Sequence, residues 1–92
     1  MKLREILINS EGLGEYDVVY VKRPWSLDSD ACVVRSQPDE AVPRLLSEDS
    51  FEYVLEAPLI KYIRKQVEDA GESPSEVLRI LLYYGENDAF PQ

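Results

Sequence analysis

The sequence predicts a single α+β domain, in which helices pack on one face of a small, three-stranded and mostly antiparallel sheet. Short runs rich in β-branched and aromatic residues alternate with amphipathic stretches of helical period, a pattern typical of this class. With 92 residues the chain supports only one hydrophobic core, so residues 1–92 are expected to form one domain. A hydrophobic content of 45% is sufficient to build that core despite a formal net charge of −8.

The first part of the chain predicts one helix followed by two strands. KLREILINS (residues 2–10) places its apolar residues at helical spacing, and it ends before the glycines at 12 and 14. YDVVYVK (residues 16–22) and ACVVRS (residues 31–36) have the β-branched and aromatic composition of strands. A polar loop containing the only tryptophan joins these two strands.

The middle of the chain predicts a short helix and then the third strand. Pro43 suits the first turn of a helix over residues 43–49, because the N–H that proline lacks is not needed there. In SFEYVLE (residues 50–56), Phe51, Tyr53 and Leu55 alternate with the other residues, which predicts one buried and one largely solvated face. The preceding connection is long enough for this strand to pair either antiparallel or parallel.

Two helices complete the predicted order, α-β-β-α-β-α-α. The first begins near Pro58, carries an apolar stripe that includes Leu59, Ile63 and Val67, and ends at Gly71 in a left-handed conformation.

The last helix has the clearest sequence signature in the chain. Ser73 is expected to be its N-cap, with Pro74 at the first helical position and Glu76 completing a capping box. Gly85 is expected to end this helix.

Composition limits the compartments and partners that are expected. Eighteen acidic against ten basic residues repel a nucleic-acid backbone and favour a basic protein partner, although acidity is also common simply for solubility. The single cysteine, Cys32, cannot form an internal disulfide, and no apolar run approaches the ~18 residues of a membrane span. We therefore expect a cytoplasmic protein that binds neither membrane nor nucleic acid.

Enzymatic chemistry finds little support in the sequence. Histidine is absent, which removes the commonest general base and most catalytic zinc sites. Asp28 and Asp30 are two residues apart, but the further ligands and the glycine of a calcium loop are missing, so turn formation is the preferred interpretation. No phosphate-binding glycine motif occurs. The sequence thus predicts a non-enzyme with no catalytic residue, cofactor or metal.

Two stretches are candidate partner-binding sites. In the loop between the first two strands, Trp25 accompanies Asp28 and Asp30; the tryptophan either folds onto the core or anchors a partner. Near the C-terminus, Tyr84 accompanies Glu86 and Asp88, and aromatic rings beside carboxylates suit a basic protein surface. The alternative for this second stretch is an ordinary helix stop.

Two resemblances support an inhibitory role. YYGENDA (residues 83–89) resembles the Tyr-Tyr-Gly-Glu-Asn-x-Asp-Ala stretch of barstar-like inhibitors, acidic proteins that use this region against a basic ribonuclease. Here the stretch is one residue shorter before Asp88 and lies at the end of the sequence, where we expect no inhibitory helix to follow, so the likeness is local. The order of VVYVKRPWSLDSDACVV, FEYVLEAPLI and YYGENDAF is similar to a family of small acidic bacterial proteins that look like immunity proteins.

The resulting hypothesis is a non-enzymatic, immunity-type inhibitor that masks the active surface of a basic bacterial toxin domain, a nuclease domain being one candidate. The alternative is a structural or regulatory subunit that forms homo-oligomers through an apolar helix face, such as Leu59, Ile63 and Val67. The sequence leaves the choice between monomer and homodimer open.

Overall fold

A computed structural model of the chain describes residues 1–36, 45–46 and 51–91. It confirms the α+β class, since helices cover one face of an antiparallel sheet. The elements in chain order are helix α1 (Leu3–Ile8), a 3-10 turn (Ser10–Gly12), strands β1 (Asp17–Val21), β2 (Ala31–Arg35), β3 (Leu45–Leu46) and β4 (Phe51–Glu56), and helices α2 (Ala57–Asp69) and α3 (Pro74–Asn87).

The sheet has the strand order β2-β1-β4-β3, with every neighbouring pair antiparallel. Strands β1, β2 and β4 are the three that the sequence predicts, and the pairing that it leaves open is antiparallel. The structure adds β3, whose two residues pair with Phe51 and Glu52. These two residues lie within the helix predicted at 43–49, where pairing with the edge of β4 outweighs the local signal from Pro43. The rest of that predicted helix lies outside the described residues.

Strand β4 contains a β-bulge that changes which of its side chains face the helices. Val19 of β1 is opposite Leu55 and Tyr20 is opposite Tyr53, so Val54 is the extra residue between them. Val54 and Leu55 are both buried and both belong to the core beneath the helices. The strict alternation predicted for this strand is therefore wrong at the bulge, where two successive residues pack on the same side.

The hydrophobic core lies between the sheet and the three helices. Every helix and each of the three longer strands contributes buried apolar side chains to one cluster, which consists of Leu3, Ile6, Leu7, Val19, Val21, Ala31, Val54, Leu55, Ile60, Ile63, Val67, Val77 and Leu81.

Arg64 of α2 caps the C-terminal end of α1 through hydrogen bonds. Its Nη1 atom donates hydrogen bonds to the carbonyl oxygens of Leu7 at 3.2 Å and Ile8 at 3.0 Å, and to Ser10 Oγ at 2.9 Å. The last carbonyls of a helix have no partner within the helix, and a cation near them is electrostatically favourable. Because Ser10 is fully buried, Arg64 is also the group that satisfies its hydroxyl.

Helix α2 ends as the sequence predicts. Gly71 has a φ of +85°, in the left-handed region that favours glycine. Its N–H donates to the Glu68 carbonyl at 2.9 Å, and the N–H of Glu72 donates to the Val67 carbonyl at 3.3 Å. This pair of hydrogen bonds is a Schellman motif, which satisfies two carbonyls at the end of the helix.

Helix α3 begins at the predicted N-cap but ends later than predicted. The Glu76 carboxylate, which was expected to complete a capping box, instead pairs with Arg79 one turn further along the helix. The Ser73 hydroxyl accepts a hydrogen bond from the backbone N–H of Glu76 at 3.3 Å, which confirms the N-cap. The predicted stop at Gly85 is wrong, because the helix continues to Asn87 and Asp88 is its C-cap. Gly85 instead marks a close contact with the sheet: a Cβ atom at this position would lie 2.6 Å from Cγ1 of Val54.

Candidate functional site

The end of α3 carries an aromatic and acidic surface. Asp88 adopts a left-handed conformation with a φ of 54°, and its N–H donates to the Tyr84 carbonyl at 2.8 Å. The chain then turns, and the ring of Phe90 meets the ring of Tyr84 edge to face, with 5.2 Å between centroids and 74° between planes. This fold-back places side chains of α3 and of the last residues side by side. We call Tyr83, Tyr84, Glu86, Asp88 and Phe90 the tail surface.

Most of the tail surface is open to solvent. Tyr83 is 39% exposed and Phe90 43%, and both Glu86 and Asp88 are exposed. Tyr84 is half-buried and packs against the core, so it supports the surface from beneath. Neither carboxylate makes an ion pair with another described residue. The surface thus offers apolar rings together with two negative charges that have no cation opposite them in the described parts of the chain.

Trp25, in the β1–β2 loop, packs against the core. It is half-buried against the core, and the guanidinium carbon of Arg23 lies 4.7 Å from the centroid of its ring system. Arg23 Nε in turn donates to the Glu52 carboxylate at 2.7 Å. The Trp25 Nε1 atom is buried and has no hydrogen-bond partner among the described residues. Trp25 thus packs against the core with a cation stacked on its ring, and its role as an anchor for a partner stays a prediction.

The two aspartates of this loop are paired with cations from the N-terminus. Arg4 Nη2 lies 3.1 Å from the Asp28 carboxylate, and Lys2 Nζ lies 3.1 Å from that of Asp30. The hydrogen bond and the positive charge of Lys2 hold the pKa of Asp30 below its ordinary value of 3.8. The loop borders a shallow cavity of 360 Å³ whose lining mixes both signs of charge. The charges of both aspartates are therefore paired within the chain, and their part in binding a partner stays a prediction.

The structure does not join the two predicted groups of site residues. No hydrogen bond, ion pair or ring contact links Trp25, Asp28 or Asp30 to the tail surface within the described ranges. Sequence reasoning also missed Lys2, Arg4 and Arg23, since each pairs with a carboxylate more than twenty positions away along the chain. The sequence holds no local signal for such contacts.

The apolar stripe of α2 belongs to the core of the single chain. Ile63 and Val67 are buried, and Leu59 is half-buried against the same cluster. They are occupied by contacts with the sheet and the other helices. The stripe therefore does not offer the self-association face that the sequence suggests.

Groups with chemical reactivity are sparse. No three His, Cys, Asp or Glu side chains in the described part of the chain lie together as a metal site would require. Cys32 is a half-buried residue of β2, opposite Tyr20 of β1, and the pKa of Tyr20 is raised by burial and, to a smaller degree, by Cys32 and Glu56. None of the described helices is long and apolar enough to cross a membrane.

Comparison with known proteins places the whole chain in one family model. The model is described as "Domain of unknown function (DUF7716)" and matches residues 1–92. No curated protein and no solved structure matches the chain.

Proposed function

The chain belongs to this family of domains of unknown function, and from its surface we propose that it is a non-enzymatic binding protein, an immunity-type inhibitor of a basic bacterial toxin domain. It acts by covering the active surface of that domain, which makes it a stoichiometric inhibitor. Its place of action is the cytoplasm.

Charge supports a basic partner. The formal net charge is −8, and such a field raises the rate of encounter with a cationic protein by roughly 10- to 1000-fold at low salt. Steering of this kind weakens as salt screens the field, because the Debye length falls to about 8 Å at physiological ionic strength. Charge alone sets the rate of encounter and leaves the docking surface undetermined.

The tail surface is the observation on which the proposal rests. It combines exposed rings, Tyr83 and Phe90, with the carboxylates of Glu86 and Asp88, and the half-buried Tyr84 holds the ring of Phe90 in place. Energetically important positions in protein interfaces are enriched in aromatic residues, surrounded by polar groups that exclude water. The exposed Glu86 and Asp88 lie at the same end of α3 as the rings, and their charges match a cationic partner.

The β1–β2 loop has a secondary role in this proposal. Asp28 and Asp30 keep 77% and 60% of their side-chain surface exposed although each is in an ion pair. Exposed ion pairs of this kind contribute little to stability, so lysine or arginine side chains of a partner compete for them readily. Trp25 positions the loop through its contact with the core.

The proposal is tested by affinity capture of the tagged protein from a lysate of its source cells at low salt, followed by a high-salt wash. We expect one basic protein to be retained at low salt and released by the wash. A variant carrying E86Q and D88N should fail to retain it; asparagine tolerates the left-handed conformation at position 88, so the local fold is preserved. D69N/E72Q is the matched control, since it removes the same charge at two exposed positions, one at the end of α2 and one in the turn that follows.

Three outcomes contradict the proposal. They are the capture of no protein, retention that is insensitive to salt, and equal loss of the partner in both double variants. The last outcome would mean that total charge, and not the tail surface, governs binding.

A further inference from the structure

Strand β2 is an edge of the sheet, and its outer side is only partly covered. β1 pairs with its inner side along the whole strand. On the outer side the first residues of the chain form a short antiparallel ladder: Ala31 N–H donates to the Met1 carbonyl at 2.8 Å, Lys2 bridges Asp30, and Leu3 N–H donates to Ser29. Beyond Ala31 no described strand continues this ladder.

The open part of the edge begins at Val33. The Asp30 carbonyl and the Ser36 N–H both bond to the β1 side, so the even-numbered residues of β2 point their backbone groups inward and the odd-numbered ones outward. Val33 and Arg35 therefore present outward N–H and C=O groups. Val33 is 36% exposed and Val34 37%, and they lie on opposite faces of the sheet. Unpaired edges with exposed apolar side chains are ready templates for another strand.

We propose that a second copy of this chain pairs with the β2 edge, antiparallel and with the two-fold axis at Val34. The registers next to this one are unfavourable. An axis at Val33 places Arg35 of the second copy opposite Ala31, whose outward N–H is already bonded to Met1. An axis at Arg35 places two guanidinium groups directly opposite each other, which is destabilising.

The register centred on Val34 is self-complementary. The N–H and C=O groups of Val33 both bond to Arg35 of the second copy. By the two-fold symmetry, Arg35 of the first copy bonds in the same way to Val33 of the second copy. The two Val34 side chains meet on the face away from the helices, and the aliphatic stem of Arg35 covers Val33 on the other face. This continues the ladder that the N-terminal residues begin, so the sheet extends across both copies.

Net charge sets how such a pair responds to salt. Each copy carries −8, so salt screens the repulsion between them and favours the pair. Binding of a basic partner at the tail surface is expected to weaken with salt instead. The direction of the salt effect therefore distinguishes the two associations. The contact is small, which places it among weak, concentration-dependent interfaces.

Disulfide trapping tests the register directly. In a C32S background, which removes the only native thiol, V34C places two sulfurs across the axis at a non-hydrogen-bonded pair, with Cα atoms about 4.5 Å apart and within disulfide range. V33C is the matched control, because it is equally exposed but its Cα atoms lie about 8 Å apart, beyond that range. Under mild oxidation we expect the V34C dimer to form at least ~10-fold faster than the V33C dimer.

Equal rates of dimer formation for the two cysteine variants would overturn the proposal. No dimer from either variant would also overturn it, and this is the result expected if the natural occupant of the edge is an extended peptide from another protein. Sedimentation of the chain with its native Cys32 supplies an independent test. We expect a dimer fraction that rises with protein concentration and with salt, and that V34K abolishes by placing two ammonium groups across the axis. A monomer at all concentrations and salts would also overturn it.

Discussion

Replacing Gly85 by alanine tests whether this glycine is a close-contact site between α3 and β4. The added Cβ would lie 2.6 Å from Cγ1 of Val54, a separation at which one of the two must move. Val54 cannot easily yield, because it is β-branched, 2% exposed and fixed in the bulge of β4. We therefore expect G85A to disturb the contact between the helix and the sheet.

The size of the effect follows from two opposing contributions. Alanine in place of glycine inside a helix stabilises by about 1 kcal/mol, whereas forcing a methyl group into a packed core typically destabilises by about 1–3 kcal/mol. The net expectation is a loss of about 1 kcal/mol in the free energy of unfolding, which lowers the Tm by about 4–8 °C in a domain of this size. Urea unfolding followed by circular dichroism measures it.

A double-mutant cycle with V54A gives the decisive comparison. Removing the Val54 methyl groups makes room for the new Cβ, so G85A should be neutral or stabilising in the V54A background, with a coupling of about 1–3 kcal/mol. G12A is the control, since no atom lies within 4 Å of its added Cβ, and it should change stability by less than about 0.5 kcal/mol. If V54A does not rescue G85A, the contact between Gly85 and Val54 is not the reason for the glycine, and the interpretation is wrong.

Three further substitutions test the remaining structural assignments. R64M should destabilise by about 1–3 kcal/mol, because the buried Ser10 hydroxyl and the carbonyls at the end of α1 lose their donor, whereas K65M at the neighbouring exposed position should change little in the same urea titration. S73A should lower the free energy of unfolding by about 1 kcal/mol through loss of the N-cap. A variant whose circular dichroism shows a lower helix content but whose free energy of unfolding is unchanged would contradict this. K2M should raise the pKa of Asp30 towards its ordinary value, measured by NMR titration of the carboxyl carbon. Because the pKa of Asp30 is lower in the folded state, this residue stabilises the wild-type fold above the ordinary pKa range of aspartate, and that contribution disappears as the pH falls through the folded pKa. The contribution should be smaller in K2M, where only the N-terminus and Lys22 still lower this pKa.

Local signals in the sequence were sufficient for much of the fold. The Ser73 cap and the Gly71 stop depend on neighbouring residues alone, and both are confirmed. The same rule gave a wrong helix end at Gly85. The glycine at this position is explained by its contact with Val54, which lies more than thirty positions away along the chain. The bulge at Val54 is likewise a property of the pairing of β4 with β1, and no pattern inside residues 50–56 encodes it.

The candidate site was predictable to the same extent. The aromatic and acidic composition of residues 83–90 indicates the tail surface directly, and four of its five residues are exposed in the structure. The loop was harder to interpret, because Asp28 and Asp30 look acidic in sequence while Arg4 and Lys2 neutralise them in space. The stripe of α2 was ambiguous for a related reason: an apolar helix face predicts burial but not against which surface.

The affinity of the captured partner for three forms of the chain tests the proposed function most directly. Isothermal titration calorimetry at low and high salt should compare the wild type with E86Q/D88N and with D69N/E72Q. We expect E86Q/D88N to weaken binding at low salt by at least ~10-fold and to reduce its dependence on salt, with the control within about 3-fold of the wild type. Equal affinities for the wild type and E86Q/D88N would contradict the assignment of the tail surface as the inhibitory site.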